Sequence, residues 1–373
     1  MKFIVEGKQF QHQLQAVSKV ISSKNTIKIL DNFLLSIDGD RLRITGGDSE
    51  NVLTAQMPVQ DVEGGGAVAV NARRLLEITK EIDNQPLTFY VNDDTKEIDL
   101  KFLNGHFNFM GVDAAEYPVL RALADDRREL VLPASMVVKG IENTWFAVST
   151  ESTRPVMTGI YWDIHNDDVT FVSSDTHKLV RYISSEKAPG MEAAFILPAK
   201  TSNILKALIS KDDIDVRIVF DQKGGIFEFG DYFFYSVFIN GNYPNYNRVI
   251  PQNSAFSLVV DRASLINALR RVNLFAPKSS NLVVFNLQPN EIILAAQDAD
   301  YGTSAEEKVS CNYEGNIMEI GFNGVFMVEI LNNIPGDDVV MQITDPARPC
   351  IYSAFDKHDG EDLVTIQMPM QVL

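Results

Sequence analysis

The densest run of groups able to hold a cation or move a proton is Asp356-Lys-His-Asp-Gly-Glu-Asp362, four carboxylates and an imidazole. It could serve a divalent metal or acid/base work, but it lacks the ligand pattern of a calcium loop. An acidic turn between the last two strands is the commoner meaning of such a run. The five histidines (His12, His106, His165, His177 and His358) lie far apart, with no ligand spacing. No Gly-x-x-x-x-Gly-Lys loop, Gly-x-Ser-x-Gly elbow or His-Glu-x-x-His helix occurs, and Gly64 to Gly66 leads into a strand rather than a helix. Cys311 and Cys350 are far apart and outside any Cys-x-x-Cys pattern, which suits a reducing compartment. Catalysis is therefore not expected, nor is a metal or cofactor.

What must position these residues is a repeat. Phe3-Ile-Val5 returns as Leu130-Val-Leu132, Thr45-Gly-Gly-Asp48 as Ser173-Ser-Asp175, and Val70-Asn-Ala-Arg73 as Leu197-Pro-Ala-Lys200. Each pair is 127 residues apart (3 to 130, 48 to 175, 73 to 200), and Tyr117-Pro118 returns 126 later as Tyr243-Pro244. A third copy fits the remainder, with Leu258-Val-Val260, the apolar spacing Leu265, Leu269, Val272, and Ala296-Gln-Asp298. A fixed offset held over unrelated local patterns marks duplicated units. The expected domains are residues 1–127, 128–253 and 254–373, each of a size to bury its own core.

Within the first repeat, Phe10, Leu14, Val17 and Ile21 form one helical stripe, and Arg74 to Ile82 is a second short helix. Strands are expected at Phe33–Ile37, Leu42–Thr45, Leu87–Val91, Ile98–Phe102 and His106–Met110, with Asn104-Gly105 a hairpin turn. Two helices on antiparallel sheet, three times over, is an α+β fold. No apolar run is long enough to span a bilayer and the N-terminus reads as a strand, so a cytoplasmic protein is expected.

The net charge of −17 argues at first against nucleic acid. The cations, however, gather on the predicted helices: Lys24, Arg73 and Arg74, then Lys139, Lys200 and Lys206, then Arg270 and Arg271. Acids collect between them, as at Asp93-Asp94 and Asp337-Asp338. Two surfaces of opposite sign are implied.

Several segments then carry a resemblance along the whole chain. They are Met1-Lys-Phe3, Ile29-Leu-Asp-Asn-Phe-Leu-Leu35, Ser174-Asp-Thr-His-Lys-Leu179, Tyr243-Pro-Asn-Tyr-Asn-Arg-Val-Ile-Pro251, Met318-Glu-Ile-Gly-Phe-Asn323 and Met368-Pro-Met370. In this order, on a threefold repeat, the sequence is similar to the bacterial DNA sliding clamps, the β subunits of the replicative DNA polymerase III holoenzyme. The resemblance implies three clamp domains per subunit and a head-to-tail homodimer. It also implies a ring of six domains whose helices surround duplex DNA. The basic residues above, together with Arg154, would face the DNA. Phe107 and Phe109 would meet Leu274 and Phe275 of a second copy.

The resemblance further implies a pocket for short peptides of the replicative polymerase, the clamp loader and repair proteins. Its walls would include Met157, Ser174, Thr176, His177, Lys178 and Leu179, then Pro244, Arg248 and Val249. Asn323, Phe326, Pro349, Ile366, Met368, Pro369 and Met370 would complete it. This chain departs from the family's common pattern in ending Met368-Pro-Met-Gln-Val-Leu373, and in placing Thr176 where many relatives have glycine. Pro155-Val156 stands where some relatives carry an aromatic pair. Two rivals remain at this point: a repeat-built enzyme using the 356–362 carboxylates, and a repeat scaffold that binds only protein.

Overall fold

The protein is described here by a computed structural model, which covers residues 1–22, 24–118, 123–210, 215–356 and 359–372. The chain writes one pattern three times. The first copy runs Lys2–Glu6 (β1), Gly7–Ser18 (α1), Asn32–Asp38 (β2), Arg41–Gly47 (β3), Asn51–Pro58 (β4) and Gln60–Glu63 (β5). It continues Gly66–Asn71 (β6), Ala72–Lys80 (α2), Pro86–Val91 (β7), Glu97–Phe102 (β8), Gly105–Met110 (β9) and Val112–Asp113 (β10). The second runs Arg128–Pro133 (β11), Ala134–Thr144 (α3), Gly159–Ile164 (β12), Val169–Ser174 (β13) and Lys178–Ser184 (β14). Then come Ala193–Pro198 (β15), Ala199–Leu208 (α4), Asp215–Phe220 (β16), Gly224–Phe229 (β17) and Tyr232–Val237 (β18). The third opens with Phe256–Asp261 (β19), Arg262–Val272 (α5), Leu282–Gln288 (β20), Glu291–Asp298 (β21), Thr303–Ser310 (β22) and Asn312–Tyr313 (β23). It closes with Met318–Asn323 (β24), Gly324–Asn332 (α6), Asp338–Ile343 (β25), Cys350–Ala354 (β26) and Glu361–Gln367 (β27).

Local chemistry explains why strand gives way to helix at matching places. Glu6 accepts from the Lys8 and Gln9 amides and Asp261 from Ser264, so both acids cap a first helix. Asn71 and Asn323 accept from Arg74 and Phe326 and cap a second helix. Each carboxylate or amide satisfies an N–H that the first turn leaves open. The apolar stripe of α1 is buried at Phe10, Leu14 and Val17, and Phe89 meets both Phe3 (4.9 Å) and Phe10 (5.3 Å). Among the described residues no helix is long and apolar enough to cross a membrane.

Among the described residues the strands form four antiparallel sheets. Two belong to a compact unit of residues 1–135 and 204–238: the order β5-β1-β7-β8-β9, and the order β10-β6-β2-β3-β4-β18-β17-β16-β11. The other two belong to residues 136–203 and 239–373: β15-β12-β13-β14-β27-β26-β25-β19-β23, and β22-β21-β20-β24. Each nine-stranded sheet therefore joins two sequence repeats edge to edge. β4 pairs with β18 from Asn51 opposite Ser236 to Ala55 opposite Tyr232. β14 pairs with β27 from Lys178 opposite Gln367 to Ser184 opposite Glu361.

The recurring aspartate shapes the turn that starts each joining strand. Asp48 accepts from the Asn51 amide (2.7 Å), Asp175 from Lys178 (2.9 Å) and Asp298 from Tyr301 (3.4 Å). Just inside the first two turns, the Glu50 carbonyl accepts from Val237 (3.0 Å) and the His177 carbonyl from Met368 (2.9 Å). The strands that correspond to these partners in the third combination are β22 and β9. Among the described residues each has one neighbour, β21 and β8 respectively, and stands at the end of its sheet.

The expected strands are found at β2, β3, β7, β8 and β9, and α1 ends at Ser18, short of Ile21. The sequence reading did not include β4, although its alternation was available: Asn51, Leu53, Ala55 and Met57 are the buried residues.

Candidate peptide-binding pocket

A cavity of about 220 Å³ opens over the outer end of the β14–β27 pairing. Its floor is Ser174, Leu179 and Ile366, side chains that the alternating strands turn to one face. One wall is the turn Thr176-His177-Lys178, and the opposite wall is the irregular segment carrying Tyr243, Pro244, Asn245, Tyr246 and Val249. Arg154, Met157 and Met368 stand at its rim. Beneath it Val172, Leu179, Tyr246, Ile250, Ile351 and Ile366 pack as one buried cluster.

The wall at Tyr243 is held by stacking and one strong hydrogen bond. Tyr243 lies flat on Tyr161, with ring centroids 4.7 Å apart, and the Tyr246 hydroxyl donates to Asp163 at 2.8 Å. Burial pushes both phenols well above the ordinary tyrosine range, so they stay neutral. The opposite wall contains a strained residue. Thr176 has φ +81°, a left-handed conformation that a β-branched side chain rarely adopts. The Asp175 carboxylate holds it there, accepting from the amides of His177 (3.0 Å) and Lys178 (2.9 Å).

Lys178 is 5 % exposed, and its ammonium is 2.6 Å from Asp175 and 3.0 Å from Glu329 of α6. It also sits 4.4 Å above the Phe326 ring, which stacks with the His177 imidazole at 5.5 Å. Charge and aromatic packing thus tie this wall to α6. The C-terminal segment is placed by backbone bonds. The Met370 amide donates to the Gly321 carbonyl (2.8 Å), and Gln367 Nε2 to that of Asn323 (2.9 Å). A Cβ on Gly321 would fall 2.7 Å from the Met370 carbonyl oxygen, so only glycine admits this approach.

Of the residues expected in the pocket, Met157, Ser174, Thr176, His177, Lys178, Leu179, Pro244, Val249, Ile366 and Met368 line the cavity. Arg248, Asn323, Phe326, Pro349, Pro369 and Met370 do not. Asn323 is used structurally, capping α6 and donating to the Ser280 carbonyl, and Phe326 supports the wall from behind. Tyr243, Asn245 and Tyr246 were missed, although Tyr243-Pro-Asn-Tyr246 was one of the resembling segments. Arg154, expected at DNA, stands on the pocket rim.

Part of the acidic run is ion-paired, and Asp356, Glu361 and Asp362 line a second cavity of about 270 Å³ together with Lys139 and Tyr182. Glu361 meets Lys139 and Asp362 meets Arg181, each at 2.5 Å. Lys357 and His358 lie outside the described residues. Among the described residues no three histidine, cysteine or acidic side chains are placed to hold a metal ion.

Lys24, Arg73, Arg74, Lys139, Lys200, Arg270 and Arg271 are exposed, and Lys206 is half-buried. Among them Arg73 meets Glu77 (2.9 Å), Lys139 meets Glu361 and Arg271 meets Glu307. Hydrogen bonding to those acids raises the affinity of Lys139 and Arg271 for their protons. On the edge strand β9 Phe107 is 39 % exposed and Phe109 7 %, and in the short 3₁₀ turn that follows α5 Leu274 is 80 % and Phe275 39 % exposed. Phe109 points the same way as Phe107 but is already covered within its own sheet layer, against the expectation that both present themselves to a partner.

Comparison with known proteins places this geometry. Family models for the DNA polymerase III beta subunit match the N-terminal domain at residues 1–121, the central domain at 131–245 and the C-terminal domain at 247–371. The chain is 28% identical to the beta sliding clamp of Staphylococcus epidermidis over 98% of each protein, and 28% identical to that of Synechococcus elongatus over all of both. It superposes on the solved clamp of C. crescentus with a TM-score of 0.90 at 27% identity, and on that of Bartonella birtlesii, bound to griselimycin, with 0.91 at 26%. Each of these two comparisons covers 100% of both chains. The threefold repeat and the sheets that join one repeat to the next fit these relatives along the whole chain: this chain is a member of the bacterial DNA sliding clamps, the β subunits of DNA polymerase III.

Proposed function

We propose that the protein is a non-catalytic processivity factor: two copies join head to tail, encircle duplex DNA, and tether the replicative polymerase. The observation that carries this reading is the pair of joints made by the same strands. β18 and β27, the last strands of repeats two and three, each lie against the joining strand of the preceding repeat. β9 and β22 are the one combination of this kind left without a partner among the described residues. A second copy supplies both missing partners at once, giving a closed ring without a free edge of this type. The domains of this ring are residues 1–127, 128–253 and 254–373, close to the three matched segments.

A ring that holds DNA by enclosure needs little affinity for phosphate, so a net charge of −17 is compatible with it. Exposed cations on the helices supply weak, salt-screened contacts that permit sliding. The polymerase, the clamp loader and repair proteins are held by short peptides in the 220 Å³ cavity. Met157 and Met368 there can repack around different apolar anchors. A factor that acts on replicating bacterial DNA would work in the cytoplasm, and the absence of a membrane-crossing helix among the described residues is consistent with that.

Removing residues 368–373 tests this reading. The shortened chain loses the Met368 rim and the Met370–Gly321 bond but keeps β9, β22 and the helix cations. It should still dimerise and stay on circular DNA, yet fail to bind a polymerase-derived peptide by calorimetry. Unchanged peptide binding would exclude the pocket.

A further inference from the structure

The face of the β14–β27 pairing turned away from the peptide-binding pocket carries a cavity of its own. Leu179 and Ile366 line the pocket, so Tyr182 and Leu363, an odd number of residues along the same paired strands, turn to the opposite face. There they line a cavity of about 270 Å³. Lys139 and Asn143, one turn apart on α3, also line it, as do Asp356, Glu361 and Asp362. Pro335, Ala354 and Leu363 give it an apolar side. All of these residues belong to the compact unit 136–203 and 239–373.

Two features of the lining call for a bound group. The charges do not balance, because three carboxylates stand against the single ammonium of Lys139. Lys139 meets Glu361, and Arg181, from outside the lining, meets Asp362, while Asp356 has no ionic partner among the described residues. The second feature is the Tyr182 hydroxyl. Tyr182 is 1 % exposed, and its hydroxyl makes no hydrogen bond of ordinary geometry although Glu361 and Ser184 are its polar neighbours. Burial, and after it the charge of Glu361, lifts this phenol above the ordinary tyrosine range, so it stays neutral and can both donate and accept. A buried polar atom of this kind calls for a partner. Asn143 adds an acceptor, since its Nδ2 already donates to the Lys139 carbonyl (2.9 Å) and its side-chain oxygen is left over.

We propose that this cavity binds a small organic dication, an alkyl diamine of the putrescine kind. One ammonium sits at Asp356 and the other reaches Glu361 and the Tyr182 hydroxyl, while Pro335, Ala354 and Leu363 cover the methylenes between them. The volume stands at the small end of ligand sites, which begin near roughly 300 Å³. A metal ion is the poorer occupant, because among the described residues no three acids are placed to hold one. Separate N–H donors on a chain can reach acids that stand apart, and each makes a charge-assisted hydrogen bond. An ammonium at Glu361 also takes the place of Lys139 there, and so returns that lysine to the helix cations available to DNA.

Calorimetric titration of the full chain with putrescine at low salt tests the site. Butylamine, with one ammonium, should bind about tenfold more weakly or worse. Asp356→Asn combined with Glu361→Gln should weaken putrescine by about tenfold or more, and Tyr182→Phe, which removes only the hydroxyl, by about threefold or more. Asp125→Asn combined with Asp126→Asn removes equal charge from an exposed turn of the other compact unit and should leave the affinity at its wild-type value. Circular dichroism should show all variants folded, since Asp356 is exposed and Glu361 half-buried. Absence of putrescine binding would overturn the proposal, as would wild-type affinity in either site variant or equal binding of butylamine. An equal loss in the Asp125–Asp126 variant would overturn it too, by showing mere attraction to a net charge of −17. So would magnesium binding that is lost with Asp356 and Glu361 while putrescine does not bind, which would give these acids to a metal.

Discussion

Lys178, which is almost fully buried at the pocket wall, places its ammonium 3.0 Å from the Glu329 carboxylate of α6. With Asp175 at 2.6 Å on the other side, the lysine holds the pocket turn against a helix that follows it by some 150 residues. Lys178→Met should cost about 1.5–3 kcal/mol, the worth of hydrogen bonds to charged groups, with the lower half favoured because Glu329 is 46 % exposed. Both tryptophans, Trp145 and Trp162, lie in the same compact unit, so urea unfolding followed by their fluorescence reads the loss there. An unchanged midpoint would show that the ion pairs contribute nothing.

Thr176 predicts the opposite sign. Its φ of +81° is open to glycine without the steric cost that a side chain incurs, about 1–2 kcal/mol. Thr176→Gly should therefore leave stability equal or higher despite the added freedom of its unfolded chain, while Thr176→Ala keeps the strain. Urea midpoints compare the two. A Thr176→Gly protein less stable than Thr176→Ala would show that the turn is not strained.

Gly321→Ala separates pocket geometry from ring assembly. The new methyl would collide with the Met370 carbonyl and shift the C-terminal segment. Peptide affinity by calorimetry should fall at least fivefold while sedimentation still reports a dimer. Wild-type affinity would mean that the segment's position is immaterial to binding.

How much of this was legible beforehand follows from the range of each signal. The helix caps, the Asn104-Gly105 hairpin and the aspartate turns are local, and the sequence displays them directly. The repeat supplied the equivalences, because a fixed offset needs no contact to be seen. The pairing of β4 with β18 joins residues about 180 positions apart and has no local signature, so the sequence divides into three repeats while the strands gather into two units. Leu179 and Ile366 were expected among the pocket residues, and both line the cavity. Tyr246 was not, because its role comes from a hydrogen bond to Asp163 that only the fold creates. Phe109 shows the converse error: alternation assigns its face correctly but cannot tell that its own sheet layer already covers it.

The helix cations should act unequally. Arg73, Lys139 and Arg271 already engage acids, so alanine at Arg74 or Arg270 should weaken DNA association more than alanine at Arg73. Each effect should be small, and each lost phosphate contact should reduce the salt slope by about 0.9. Replacing four together should slow loading visibly. A single substitution that abolishes retention at low salt would point to a specific site instead of a collective one.

The thiols should be quiet. Burial raises Cys311 to about 11 and Cys350 to about 12, so the thiolate that reacts is scarce at pH 8. Against a free cysteine near 8.5, alkylation of the folded protein should be slower by about two orders of magnitude or more, and should recover on unfolding. Rapid labelling of native protein would contradict the packing around either residue.

Retention on DNA of defined topology tests the central claim. After loading onto nicked circular DNA by the host's clamp loader with ATP, the protein should remain through gel filtration at a salt concentration that strips ordinary phosphate contacts. Linearising the same DNA should release it within minutes, because an enclosed duplex with open ends lets a ring slide off. Equal retention on circles and on linear DNA, or equal loss from both, would contradict a ring that holds DNA by enclosure.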